Sequence, residues 1–187
     1  MNDRDARIDE LLAKQEIREV IYRVARGTDR RDADLMRAGY HPDAIDDHGF
    51  FRLTPSEFAE WMATRIGHSQ HFFGQINIEI KGNVAYSEAY AHGNIVFDAS
   101  ETMPARDLFH GLRYLDRFEK RNDGPWLIAY RKVIYDFGYY VLASAKMVAP
   151  ETAEWGRLDR DDPSYHMEDF PSTNTPWKKI MPPGWLD

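Results

Sequence analysis

The chain has no cysteine, which excludes a disulfide framework, a thiolate nucleophile and a cysteine-ligated metal. It has no block of Lys or Arg, and 24 basic against 31 acidic residues leave a net charge of −7. That balance speaks against nucleic acid or an anionic membrane as partner. No apolar run approaches transmembrane length, and the opening MNDRDARIDE is charged where a signal peptide would be apolar. A cytoplasmic protein is the expectation. There is no Gly-rich phosphate loop, no Gly-x-Ser-x-Gly elbow and no His-Glu-x-x-His. Internal repeats and low-complexity segments are also missing. Aromatic residues, in contrast, are plentiful: five Trp, ten Tyr and ten Phe in 187 residues. They can build a core, and they can line a pocket for a flat apolar ligand.

Residues 5–26 read as an amphipathic helix, with Ile8, Leu11, Leu12, Ile17, Val20, Ile21 and Val24 at spacings near three and four. Gly27 reads as its stop. A short second helix is expected over 31–39, closed by Gly39. The segment 40–51 reads as a turn-rich loop. Thr54 and Glu57 form a capping box with Pro55 at the first helical position, so a third helix is expected over 55–67. The period then changes to two. Strands are expected at 76–80, 84–98, 107–120 and 126–140, with turns at KGN (81–83) and NDG (122–124). Helices followed by an antiparallel meander make an α+β pattern, with a curved sheet wrapped around the long helix. Residues 1–149 form one domain on this reading. Residues 150–187 hold six of the ten prolines and three of the five tryptophans. They are expected to form an extended tail packed on the body or on a neighbouring subunit.

Few residues in this pattern invite chemistry. His71 can abstract a proton near neutral pH, and Asp29 can orient it by accepting its other N–H. An Asp beside a helix-ending glycine is equally suited to capping a turn, and a His beside two phenylalanines to ordinary packing. Alternation puts Arg131, Val133 and Tyr135 on one strand face. There Arg131 can stabilise a developing anion or leaving group, or sit in a salt bridge. His110, Leu112 and Tyr114 share a face by parity. With His92 they can line a cavity or simply pack. His41, Asp46, Asp47 and His48, or the pair His68 and His71, allow a two-His, one-carboxylate metal site. A hydrogen-bonded loop at 46–49 is the simpler reading, and no metal is expected.

IREVIYRVARGTDRRDADLMRAGYHPDA (17–44), DDHG (46–49), RYLDRFEKRNDGPWLIAYRKVIYDF (113–137) and GRLDRDDPSYH (156–166) resemble the SnoaL-like branch of the nuclear transport factor 2-like superfamily. The resemblance runs from about residue 6 to 166. It implies a cone-shaped α+β fold with a bent antiparallel sheet and a deep pocket. The motifs are most similar to those of cofactor-free lyases: hexachlorocyclohexane dehydrochlorinase, scytalone dehydratase and bile acid 7α-dehydratase. In the dehydrochlorinase an Asp in a Gly-x-Asp-(Lys/Arg)-Arg context pairs with a His that opens a strand. Gly27-Thr28-Asp29-Arg30-Arg31 and His71 match those elements, and Trp126 with Arg131 matches a recurrent Trp–Arg spacing. One departure is plain. Relatives carry a Lys or Tyr five residues before the Asp, where this chain has Val24. Tyr22, His110, Tyr114 and Tyr135 are the candidates to replace it.

The resemblance therefore implies a cofactor-independent lyase acting on an apolar, aromatic small molecule by dehydration, dehydrohalogenation or retro-aldol-like cleavage. A diarylpropane lyase is similar in this respect. His71 would be the base, Asp29 its orienting partner and Arg131 the aid to the leaving group. Tyr22, His92, His110, Leu112, Tyr114 and Tyr135 would line the substrate site. The alternatives are a ketosteroid-type isomerase and a non-catalytic β-type subunit of an aromatic-ring dioxygenase or ligand-binding module. A homo-oligomer is expected, a trimer before a dimer.

Overall fold

Helix α1 (Asp3–Arg30) buries one stripe, formed by Ile17, Val20, Ile21 and Val24. It does not stop at Gly27. A Cβ at Gly27 would lie 2.7 Å from the Met36 amide nitrogen, so the missing side chain lets α2 (Ala33–Arg37) pack closely. The real end comes a turn later. Arg31 adopts φ +53°, and the Arg31 and Asp32 N–H groups donate to the Thr28 and Gly27 carbonyls. That is a Schellman ending with a non-glycine in the left-handed position. Asp32 then caps α2 by accepting from the Asp34 and Leu35 N–H groups. Helix α3 (Pro55–Ala63) carries the expected capping box and ends earlier than expected.

The computed structural model of the chain describes residues 3–64, 67–142 and 155–171. Six strands follow the order β2-β1-β6-β5-β4-β3 in one open sheet. They are β1 (Tyr40–Asp47), β2 (Arg52–Leu53), β3 (Ser69–Lys81), β4 (Val84–Phe97), β5 (Arg106–Lys120) and β6 (Trp126–Leu142). Two expectations need correction. Segment 40–47 is a strand, and it runs parallel to β6, so the sheet is mixed. Pro42 obscured this strand. It falls in the register gap between the Tyr40↔Ile128 and Ile45↔Tyr130 pairs, where no ladder donor is needed. Likewise β3 starts at Ser69, well before 76, with a register shift between Phe73 and Ile76. Such irregularities, two more of which lie in the β5–β6 pairing, bend a sheet. The NDG turn is as expected, with positive φ at Asn122 and Asp123.

Cross-strand rows on the inner face explain the core. One row is Ile76, Ala89, Tyr114, Val133, and the next is Phe73, Ala91, Leu112, Tyr135. The alanines of β4 leave room for the α1 stripe, which belongs to the same buried cluster. Beyond these rows lies a third, His71, Gly93, His110, Gly138, of which Gly93 and His110 are buried. Of the tail, residues 155–171 form two short 3-10 turns held against the α1–α2 junction. Arg160 makes two hydrogen bonds of 2.9 Å to Asp32, Tyr165 donates to the same carboxylate, and Arg26 lies over the Tyr165 ring. Trp177 and Trp185 lie outside the described residues.

Candidate functional site

The last turn of α1 and the first residues of β3 meet at one carboxylate. Asp29 Oδ1 lies 2.7 Å from His71 Nδ1 and accepts the Ser69 hydroxyl at 3.1 Å. Its Oδ2 accepts the His71 backbone N–H at 3.0 Å. The extra turn of helix after Gly27 is what carries Asp29 to β3. An ionised carboxylate only accepts, so the imidazole proton belongs on Nδ1. Nε2 keeps its lone pair, the arrangement a general base needs.

His71 lines a cavity of about 90 Å³, together with His48, His110, Tyr114, Tyr135 and the phenylalanines around Phe51. Small-molecule sites commonly measure about 300–1,000 Å³, so this one suits a fragment near the size of a single aromatic ring. Phe50, three-quarters exposed, stands among its lining. The larger concavity, about 610 Å³, lies elsewhere on the sheet around Tyr86, Glu88, Arg117 and Tyr130. It holds no histidine, so the smaller cavity is the chemically equipped one.

His110 enters this cavity over bare backbone. A Cβ on Gly93 would lie 2.2 Å from His110 Nε2, so the glycine is what admits the ring. His110 is buried, and its Nδ1 has no hydrogen-bond partner among the described residues. Burial, reinforced by the His71 and His48 rings, lowers its pKa, which favours the neutral form.

A second carboxylate–imidazole pair was missed from sequence. His48 Nε2 lies 2.9 Å from Asp46 Oδ1. Asp46 Oδ2 accepts the Tyr40 hydroxyl at 2.6 Å. The other His48 nitrogen, Nδ1, is 3.4 Å from the Tyr135 hydroxyl. The ring stacks on Phe51 with centroids 4.3 Å apart. Burial pushes the Asp46 pKa up, but His48, Arg131 and Tyr40 outweigh it and hold the carboxyl below its usual value.

Arg131 is not free to reach into the cavity. Its Nε and one terminal nitrogen each donate to Asp116 at 2.7 Å, and the pair is buried. Its guanidinium lies 4.4 Å from the Tyr114 ring centroid. Burial opposes its charge, but Asp116, Tyr40 and Asp46 keep its pKa well above the usual value. Among the other expected residues, Leu112, Tyr114 and Tyr135 line the cavity. Burial raises the Tyr135 pKa to about 12, with Asp46 adding to it. Tyr22 is not part of the lining, and its ring packs edge-on against Phe73. His92 pairs with Phe72 and Gly111, which puts it on the outer face against Phe137. Val24 packs in the core, where a Cβ on Gly39 would strike it. Of the suggested metal set, His41 turns away to the Glu119 carbonyl. Among the described residues no group of three or more His, Asp or Glu is placed to hold a metal ion.

The family model described as a SnoaL-like domain matches residues 9–132. No curated protein matches the chain in sequence. Among solved structures, a hexachlorocyclohexane dehydrochlorinase, LinA-type3, from Novosphingobium barchaimii superposes with a TM-score of 0.64 at 16% identity, covering 76% of this chain and 99% of the other. A candidate scytalone dehydratase from Novosphingobium aromaticivorans gives 0.61 at 14% identity, with 78% and 97% covered. An NTF2-like protein with a cystatin-like fold, also from Novosphingobium aromaticivorans, gives 0.59 at 18% identity, with 71% and 87% covered. At such identities the likeness is one of fold. No helix among the described residues is long and apolar enough to cross a membrane.

Proposed function

The chain belongs to the SnoaL-like domain family, and on that premise we propose that it is a cofactor-independent lyase acting on a small apolar, aromatic molecule. The observation that carries this reading is the 2.7 Å contact between Asp29 and His71 at the wall of an aromatic cavity. His71 Nε2 takes a proton from a carbon of the bound substrate. The C–H electrons form a new double bond as the bond to the leaving group breaks. Asp29 keeps the imidazole in the useful tautomer and stabilises the imidazolium that forms. The fold neighbours that bear a dehydrochlorinase or dehydratase name support an elimination. The size of the cavity supports a compact substrate. Arg131, clamped by Asp116, serves to fix the charges beneath the site. Exposed aromatics on the outer sheet face, such as Tyr86, Tyr90 and Tyr139, suit burial in a homo-oligomer.

A probe reaction tests the base without knowledge of the natural substrate. 5-Nitrobenzisoxazole opens to a coloured phenolate once its C3 proton is removed. The protein should open it faster than free imidazole at equal concentration, and His71→Ala should lower kcat/KM by about 10²–10⁴. Equal rates for the two proteins would overturn the base assignment. Screening of benzylic alcohols by mass spectrometry then separates the reactions: loss of a fragment marks a lyase, and unchanged mass an isomerase.

A further inference from the structure

A lyase needs a group that receives the charge of the departing atom, and neither Val24 nor Arg131 is placed to do so. We propose that His48 and Tyr135 form the acid half of the site, with Tyr135 protonating the leaving atom and His48 resupplying the proton. The inference rests on the lyase reading and adds a substrate class to it: compounds whose leaving group is an oxygen, hydroxyl or a basic aryloxide, whose departure is eased by protonation. A halide would need no such device.

The geometry has three parts. First, the two imidazoles come from opposite sides of the sheet. His71 lies on edge strand β3, and His48 follows β1, beside the other edge. They line the same cavity, with His110 on β5 and Tyr135 on β6 between them. Second, the contacts of His48 run in one direction. Nε2 faces the Asp46 carboxylate at 2.9 Å and Nδ1 faces the Tyr135 hydroxyl at 3.4 Å. An imidazolium placed there donates from Nδ1 to the Tyr135 oxygen. The Tyr135 proton is thereby left free to point at a substrate oxygen. Third, the Asp46 carboxylate is buried, and Arg131 directs its hydrogen bonds to Asp116. Buried charge is tolerated when paired, and the imidazole that faces Asp46 is that of His48.

The step conserves atoms and charge. The substrate C–H proton goes to His71 Nε2, and its electron pair becomes the C=C bond. The C–O bond breaks and its electrons stay on oxygen. That oxygen takes the Tyr135 proton, and Tyr135 takes the Nδ1 proton of His48. The site ends with His71 protonated and His48 neutral, and exchange with water resets both.

The test is a leaving-group series: 5-nitro-, 5-chloro- and unsubstituted 1,2-benzisoxazole, whose product phenolates grow steadily more basic. In the wild-type protein log kcat/KM should fall gently along the series. In Tyr135→Phe and His48→Gln it should fall steeply, with a loss about tenfold greater on the unsubstituted ring than on the nitro compound. His71→Ala should lower all three by the same factor. An equal loss along the series in the Tyr135 and His48 variants would mean that these residues merely pack, and would overturn the proposal. Should the wild type open none of the rings, the base reading fails. The acid pair is then judged by binding of the product 2-cyano-4-nitrophenolate, measured by fluorescence quenching. Tyr135→Phe should weaken it about tenfold, and unchanged affinity would overturn the proposal. Tyr135 is 43% exposed, so its truncation to Phe does not threaten folding.

Discussion

Replacing Asp29 by Asn changes one oxygen into NH2 and almost nothing in shape. The wild-type carboxylate accepts three hydrogen bonds: from His71 Nδ1, from the Ser69 hydroxyl and from the His71 backbone N–H. The amide has one oxygen for these donors. If it faces the imidazole, the NH2 meets the backbone N–H, and two partly buried donors oppose each other at a cost of about 1–3 kcal/mol. The reverse orientation keeps the backbone bond and turns the NH2 toward the imidazole. Nδ1 must then accept, so the proton moves to Nε2 and the base loses its lone pair. The hydroxyl of Ser69 can rotate to accept from the amide, which makes this orientation the cheaper one. Exchanging a charged for a neutral acceptor lowers stability by only about 1–2 kcal/mol. The tautomer change is far more costly to the rate: in a serine-protease triad the same exchange lowers kcat by about 10⁴. Asp29→Asn should therefore keep a cooperative urea transition near that of the wild type and lose about 10²–10⁴ in kcat/KM on 5-nitrobenzisoxazole. A variant that keeps half of the wild-type rate would refute the orienting role. One that loses rate and fold together would mean that the carboxylate is chiefly a clasp between α1 and β3.

Two further outcomes are expected. Asp116→Asn strips the buried Arg131 guanidinium of its carboxylate, and urea unfolding should show a loss of about 3–5 kcal/mol, most of it regained in the double variant Arg131→Met, Asp116→Leu; an unrecovered loss would argue against a simple ion pair. Asp32, held chiefly by the Arg160 hydrogen bond against an opposing effect of burial, and helped by the Leu35 N–H and Tyr165, has its pKa lowered from 3.8 to about 2. Because the folded value lies below the unfolded one, the stabilisation is complete above about pH 4 and is lost as pH falls toward 2. Pepsin should nick segment 155–171 readily at pH 2 and slowly at pH 4, whereas Asp32→Asn should be nicked quickly at both; a wild-type protein nicked equally at both would contradict this.

How much of this was legible in the chain depends on how far apart the partners lie. The Ile17–Val24 half of the α1 stripe and the Thr54–Glu57 cap are local patterns and read directly, whereas Ile8, Leu11 and Leu12, which continue the same spacing, lie exposed. Residue motifs brought Asp29 and His71 forward, although Gly27 read as a stop because its packing against Met36 is invisible in sequence. Strand β1 was hidden by Pro42 and by buried His41, Asp46 and Asp47, whose polarity suggests a loop until their partners are known. Those partners lie far away: Tyr130 for Asp47 and Tyr135 for His48 are more than eighty positions off. Parity put Arg131 on one face with Val133 and Tyr135, but only register reveals that Asp116 stands opposite it. Register also separates His92 from His110, since it pairs His92 with Gly111.

The strap formed by Arg160 and Tyr165 has a consequence for the order in which the protein becomes itself. Asp32, on which both converge, sits three residues beyond Asp29 and ends the turn that aims it. The contact joins positions 128 residues apart. During synthesis the helix carrying Asp29 emerges first, then the strand carrying His71, and the α1–α2 junction beside Asp29 is clasped only when Arg160 and Tyr165 follow.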